Sequence, residues 1–489
     1  MTRPVIVWFR QDLRLSDHPA LQAAVATGRP VVPVFILEPA AGQAWAPGGA
    51  TRWWLHHSLH ALGESLAHCG ARLVLRRGAA VAVLAALVAE TGAETVFTGA
   101  MAEPEARATD RAVAAALAPV GAAALAPMGA AALAPTGATL RRLRTAFLFS
   151  PKDIQTGAGR PYAVYTPFSN ACLIRSPAAS IPPPSRLPAA SVPVASDRLE
   201  DWGLLPTRPD WAAGLRRTWT PGEAGARDRL SAFLARPAAD YARLRDRPDT
   251  PATSMLSPHL HFGEISADAV WRGVLEQGGD HQKFVKELLW REFSIHQLWH
   301  NPALPDAPAR PAFEAMAWRD DPAGLTAWQR GETGVPIVDA GMRELWQTGW
   351  MHNRVRMVVA SFLVKHLLID WRHGERWFWD TLVDADLAAN AANWQWVAGS
   401  GADAAPYFRV FNPVLQGRKF DPEGAYVRRY VPALRKLDAR FIHAPWEAPA
   451  AVLAAAGIVL GRTYPRAVVD LGLGRERALA AFAALRAGA

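Results

Sequence analysis

The hydrophobic period of the chain changes once, and that change limits its fold more than any other feature. Through the first 150 residues, short apolar runs rich in β-branched residues recur: VIVWF at 5–9, VVPVFIL at 31–37, ARLVLRR at 71–77 and ETVFTG at 94–99. Helix-length segments such as the amphipathic stretch 50–70 lie between them. Strands separated by helices predict βαβ units and a parallel sheet, because parallel neighbours need a long crossover. Beyond about residue 210 the β signal almost vanishes, and segments 281–300, 339–348, 351–369 and 374–383 carry a helical period. The expected architecture is an α/β domain of Rossmann-like type over 1–150, a connector over 151–210, and a larger all-helical domain over 211–489. The connector contains SPAASIPPPSRLPAASVPV, too rich in Pro, Ser and Ala for regular structure. With 489 residues, more than one core is expected, since single cores rarely grow past ~250–300 residues.

Residues 114–137 are three copies of an octapeptide, AAALAPVG, AAALAPMG and AAALAPTG. A Pro and a Gly in each copy would break every helical turn, so the stretch reads as a low-complexity surface insertion without function. Of 20 Trp, only Trp8, Trp45, Trp53 and Trp54 precede residue 200, so the halves differ in composition as well as in period. The 53 basic against 44 acidic residues attract polyanions without naming one. Two cysteines, Cys69 and Cys172, are too few for a disulfide framework. The opening MTRPVIVWFRQDLRL lacks a signal-peptide core, and no run reaches the ~18–20 apolar residues of a membrane span, so a cytoplasmic, soluble protein is expected. Neither GxGxxG nor GxxxxGK[ST] follows the first strand, so the α/β domain announces no nucleotide site.

Chemistry-bearing residues concentrate in the helical half. In TSMLSPHLHFGEIS, 253–266, Ser257 followed by Pro258 predicts a helix start. The hydroxyls of Thr253, Ser254 and Ser257, with the free N–H groups there, would suit a phosphate; a plain capping motif is the simpler alternative. In HQKFVKELLWREF, Glu287 shares a helix flank with Trp290 and Arg291. A carboxylate beside an indole suits an extruded base, although Glu287 and Arg291 alone could be a solvated ion pair. WMHNRVRMVVASFLVKHLL puts Asn353, Arg356 and Met357 on one face. VDADLAANAANWQW then offers Asp384 and Asp386, with Asn390 and Trp394 at successive steps of four; capping would account for either acid.

These segments, with WQRGETGVPIVDAGMRELWQTGWMHNRVRM, DWRHGERWFWDTLVDADLAANAANWQWVAGSGADAAPYF and FNPVLQGRKFDPEGAYVRRYVPAL, closely resemble the photolyase/cryptochrome family. WFRQDLRLSDHPAL and PYAVYTPF (161–168) look like it too, and the likeness covers essentially the whole chain outside the repeats. Its nearest likeness within the family is to class I photolyases acting on cyclobutane pyrimidine dimers. The resemblance implies an antenna domain and a helical domain holding FAD folded into a U. It places Tyr241, Thr253, Ser254, Met255, Leu256 and Ser257 along the FAD phosphates. Arg291, Asn353, Arg356, Asp384, Asp386 and Asn390 fall around the rest of the cofactor, with Arg356 and Asp384 as an ion pair beside the flavin and Asn390 facing it. Met255 departs from the basic residue that several relatives carry within this motif.

The resemblance further implies light-driven repair of UV-damaged DNA by electron transfer from excited reduced FAD, with Glu287, Asn353, Met357 and Asn390 as the catalytic set. Met357 stands where relatives acting on (6-4) photoproducts have His, which favours the cyclobutane dimer. Glu287, Trp290, Asn353, Met357 and Trp396 match the lesion contacts, while Arg245, Arg291, Arg354 and Gln416 match positions near the DNA backbone. Trp394, Trp371 and Trp318 resemble the family's electron-carrying indoles. A second, antenna chromophore is expected, methenyltetrahydrofolate before deazaflavin, with GGATRWWLHHSL (48–59) as the antenna-side segment, although Ala106 falls where folate binders tend to have Glu. The protein is expected to act as a monomer without a protein partner. The alternative is a cryptochrome-like blue-light sensor; the intact lesion set and the lack of a long polar tail favour repair.

Overall fold

The computed structural model describes residues 2–41, 43–118, 137–188, 190, 193–235, 237–278, 281–403 and 408–487. Most of the octapeptide stretch therefore lies outside the described residues. The first half is built on a five-stranded parallel sheet of order β3-β2-β1-β4-β5, from β1 (Val5–Phe9), β2 (Val31–Leu37), β3 (Val74–Arg77), β4 (Thr95–Gly99) and β5 (Thr139–Leu143). Alternate residues of β1 enter two cores: Val5, Val7 and Phe9 pack with Trp53, Trp54 and Leu59, and Ile6 and Trp8 with Leu84, Leu87 and Val113. Burial on both faces is why the central strands read as unbroken apolar runs. The edge strand β5, TLRRL, is exposed through both arginines, and its sequence carries no such run.

In doubly wound sheets ligands bind beyond the strand ends where the order reverses, here between β1 and β4. Arg10, directly after β1, stands at this point. The Arg10 guanidinium lies 4.3 Å over the Trp8 ring, pairs with Asp110 at 2.8 Å and donates to the Gly99 carbonyl at 2.5 Å.

The connector is more structured than its composition predicts. Its first part forms the helix Tyr165–Leu173, whose Phe168 and Cys172 are buried against the helix Gln282–His300. Leu187, Leu199, Trp202 and Leu204 enter the core of the sheet domain. Apolar residues spaced through a Pro-rich stretch thus anchor a segment that is mostly outside helix and strand among its described residues.

The helical half carries the expected helices as Gln282–His300, Pro336–Thr348, Asn353–Ser361 and Trp371–Thr381, followed by Leu387–Ala398. The single helix expected over 351–369 is interrupted: after Ser361 one turn widens over Phe362–His366, and Leu368 adopts a left-handed φ of 56°. Gly374 permits close packing between Trp371–Thr381 and Leu387–Ala398, because a Cβ there would come within 2.1 Å of the Trp394 ring. The two halves meet along the 48–59 segment. The Gly49 N–H donates to Asp380 at 2.8 Å, Trp54 Nε1 donates to Glu264 at 2.9 Å, and Trp53 and Trp54 are core residues. No described helix is long and apolar enough to cross a membrane.

Candidate active site

A cavity of about 520 Å³ opens among these helices. Glu287, Trp290 and Arg291 line it from Gln282–His300. Asn353, Arg354, Arg356 and Met357 do so from Asn353–Ser361, and Asn390, Trp394 and Trp396 from Leu387–Ala398; Arg245, Ser257 and Asp384 also line it. The sequence spacings of three and four converge because each set shares one helical face.

The two acids of VDAD divide between the two readings weighed for them. Asp384 accepts from Arg356 Nη2 at 2.8 and 3.1 Å, and Arg356 Nε donates to the Met351 carbonyl at 2.7 Å, so the pair is fixed at the wall. Asp386 is the cap of Leu387–Ala398, accepting from the Ala389 N–H at 2.7 Å, and it does not line the cavity. Burial would raise its pKa, but His261 and the Ala389 N–H hold it below the usual carboxylate range. Asn390 is buried and donates to the Glu375 carbonyl at 3.0 Å, leaving its own carbonyl oxygen for the cavity.

At the mouth, the Glu287–Arg291 ion pair weighed as the simpler alternative does not form. Glu287 is bound by Arg245, while Arg291 turns inward to Glu292 at 2.8 Å and to the Ala146 carbonyl at 2.7 Å. Arg291 therefore ties this helix to the segment after β5. Burial pushes Glu292 up to about 7 despite Arg291 and the N–H of Leu148. Arg354 pairs with Asp246 at 2.9 Å and lies over the Phe420 ring. Trp290 stacks on Tyr165 at 3.6 Å between ring centroids and 7° between planes, so one face is covered by the connector helix. Tyr165 was missed as a site residue, although PYAVYTPF had been singled out.

The loop 253–257, expected to hold phosphate, differs from its expected form. Met255 has a left-handed φ of 51°, and the chain is already helical at Leu256, which takes the cap position assigned to Ser257. Ser257 instead accepts from Trp350 Nε1 at 3.1 Å and faces the cavity. Ser254 accepts from the Leu256 N–H at 3.4 Å. Thr253, Ser254, Met255 and Leu256 are not in the wall of this cavity, nor is Gln416, on the helix Pro413–Phe420. Tyr241 is packed edge-on against Phe233 and Phe284. Trp394 lines the cavity with its ring against Phe378 at 5.0 Å and Trp328 at 6.2 Å. Trp371 is buried and Trp318 half-buried, both in the surrounding core. Trp328, in ring contact with Trp394, carried no sequence signal that set it apart from the other indoles.

Amides, a guanidinium–carboxylate pair and a hydroxyl around aromatic walls are the donor set that a flavin's polar edge and flat ring require, so these residues fit a flavin. An α/β domain seamed to a helical domain with such a cavity defines a two-domain flavoprotein. The sequence agrees: residues 5–188 match the family described as DNA photolyase and residues 284–484 the FAD binding domain of DNA photolyase. The chain is 53% identical over 491 residues to a deoxyribodipyrimidine photo-lyase of Agrobacterium fabrum, covering 99% of this chain and 98% of that one. It is 36% identical to cryptochrome-1 of Arabidopsis thaliana, over 96% of this chain and 69% of the relative. The crystal structure of a bacterial class III photolyase from Agrobacterium tumefaciens superimposes with a TM-score of 0.92 at 52% identity, covering 99% and 98% of the two chains. The chain belongs to the DNA photolyase family, and its helical half is an FAD-binding domain.

Proposed function

We propose that the protein repairs cyclobutane pyrimidine dimers in DNA under light and that, like its 52% identical neighbour, it is of class III rather than class I. The observation that carries this reading is the convergence of Glu287, Trp290, Asn353, Met357 and Trp396 on one open cavity beside the Arg356–Asp384 pair.

Bound FAD supplies the light-absorbing electron donor. The chain's own residues bind, orient and exclude water. The net charge of +9 draws DNA to the protein, and a dimer, already poorly stacked and paired, leaves the duplex at lower cost than a normal base pair. Glu287, oriented by Arg245, accepts from the N–H edge of the bases. Trp290, backed by Tyr165, is a rigid wall for the dimer, and Trp396 is its counterpart. Met357 offers an apolar, polarisable contact with no proton to give. Asn353 supplies an amide, and Asn390 holds its carbonyl oxygen toward the cofactor. Arg354, Arg245 and Gln416 lie along the DNA backbone. Trp394 is the inner end of an indole relay with Trp371 and Trp318. A second pigment, folate before deazaflavin, serves as an antenna.

Photoreduced full-length protein is expected to revert thymine dimers in an oligonucleotide under blue light. Reversion no greater than in the dark control would overturn the reading. Glu287→Ala should lower dimer binding by about 1–3 kcal/mol through loss of a charge-assisted hydrogen bond, read from the dissociation constant of the damaged oligonucleotide.

A further inference from the structure

Asp403 lies in the cavity wall, on the loop that leaves the helix Leu387–Ala398. That loop is locked to its helix. The N–H groups of Gly399, Ser400 and Gly401 all donate to the Gln395 carbonyl, at 2.9, 3.1 and 3.0 Å, and a Cβ on Gly401 would come within 3.2 Å of the Trp396 nitrogen. The loop is therefore carried by the helix that bears Trp396.

From there the Asp403 carboxylate reaches the connector helix, accepting from the Tyr165 N–H at 3.1 Å across 238 residues of sequence. The helix Tyr165–Leu173 is preceded by Val164, whose side chain cannot cap it, so its first N–H takes an acceptor from outside. A carboxylate also suits the positive end of a helix. Tyr165 is fixed at two further points, both on Gln282–His300: its hydroxyl donates to the Lys286 carbonyl at 2.6 Å, and its ring stacks on Trp290. Burial raises the Asp403 pKa, opposed by the Tyr165 N–H and by Arg310, so this carboxylate is held half out of water at a cost.

We propose that Asp403 is a positioning residue that sets the gap between Trp396 and Trp290, and with it the fit of an extruded dimer between them. This rests on the reading of those two indoles as the walls that receive the lesion. The carboxylate acts through Tyr165 and touches no reacting atom. Undamaged duplex, which never enters the cavity, does not probe the gap, so loss of the tie costs the dimer alone.

The test measures, on the FAD-loaded full chain, dissociation constants for an oligonucleotide carrying one thymine dimer and for its undamaged counterpart, with amide hydrogen exchange over 165–173 read alongside. Asp403→Ala is expected to lower the ratio of the two affinities at least tenfold and to speed exchange at the start of the connector helix. Asp403→Asn, whose amide oxygen still accepts, should keep the ratio within threefold; a loss equal to that of Asp403→Ala would make the charge decisive and overturn the proposal. Adding Val164→Asp to Asp403→Ala gives the helix a cap of its own and should restore slow exchange but not the ratio, since that cap does not span the cavity. Recovery of the ratio there would reduce Asp403 to a helix cap, and a fallen ratio with exchange unchanged in Asp403→Ala would put the carboxylate on the DNA itself; either result overturns the proposal. If Trp290→Ala leaves the ratio unaltered, the reading of the walls fails and the proposal falls with it. A loss in Trp290→Ala without one in Asp403→Ala overturns the proposal alone. Should Asp403→Ala not fold, Asp403→Glu, which lengthens the tie by one methylene, decides: a ratio lowered at least threefold supports the proposal, and an unchanged one overturns it.

Discussion

Both halves of the molecule place an arginine against a carboxylate where their elements converge, and the two pairs face opposite surroundings. In the sheet domain Arg10 and Asp110 pair where the strand order reverses, with Trp8 beneath and the Gly99 carbonyl beside them. In the helical domain Arg356 and Asp384 stand in the wall of a cavity and leave it open. A polar group whose partners are all protein is part of the scaffold. One whose partners hold it against empty volume is shaped for a ligand.

That contrast breaks if the two carboxylates behave alike. Asp110→Ala strands a buried guanidinium and should cost about 3–5 kcal/mol of stability, measured by denaturant unfolding, with FAD affinity nearly unchanged in the folded fraction. Asp384→Ala should cost only about 1–2 kcal/mol, because cavity water can solvate Arg356, yet weaken FAD binding tenfold or more. Equal stability losses, or FAD loss in both, would erase the distinction.

Glu292, where the two halves are tied together, sharpens it. Burial raises its pKa to about 7, so the folded state holds a proton that the unfolded chain releases near the ordinary value of 4.5. Stability contributed by this group is full below about pH 4.5, falls as pH rises through that window and levels above about 7. Relative to Glu292→Gln, the unaltered protein should therefore lose on the order of 2–3 kcal/mol between pH 4.5 and 8. Unfolding midpoints of both proteins across that range check the sign. The smallest effect is at the mouth: Arg354→Ala should lower the salt dependence of DNA binding by about one counterion, with little change in stability. An unchanged slope would leave Arg354 as a partner of Asp246 alone.

The sheet was legible because central parallel strands are apolar on both faces, and only the exposed β5 escaped. The converging faces of the helical half were legible as well, since Asn353, Arg356 and Met357 follow helical geometry. What the sequence concealed were choices between equivalent partners. Nothing in the spacing says that Glu287 turns to Arg245 rather than to Arg291, or that Asp386 caps a helix while Asp384 takes Arg356. Those outcomes depend on which distant element arrives alongside. Arg245 precedes Glu287 by 42 residues, and the Ala146 carbonyl that draws Arg291 away lies 145 residues off.

The ring of Tyr165 beneath Trp290 makes the segment joining the two halves part of the support of the cavity wall. Chimeras that exchange sheet domains between relatives should be spliced after Leu173 rather than at the end of the sheet, or they will replace the support of a wall they meant to leave alone.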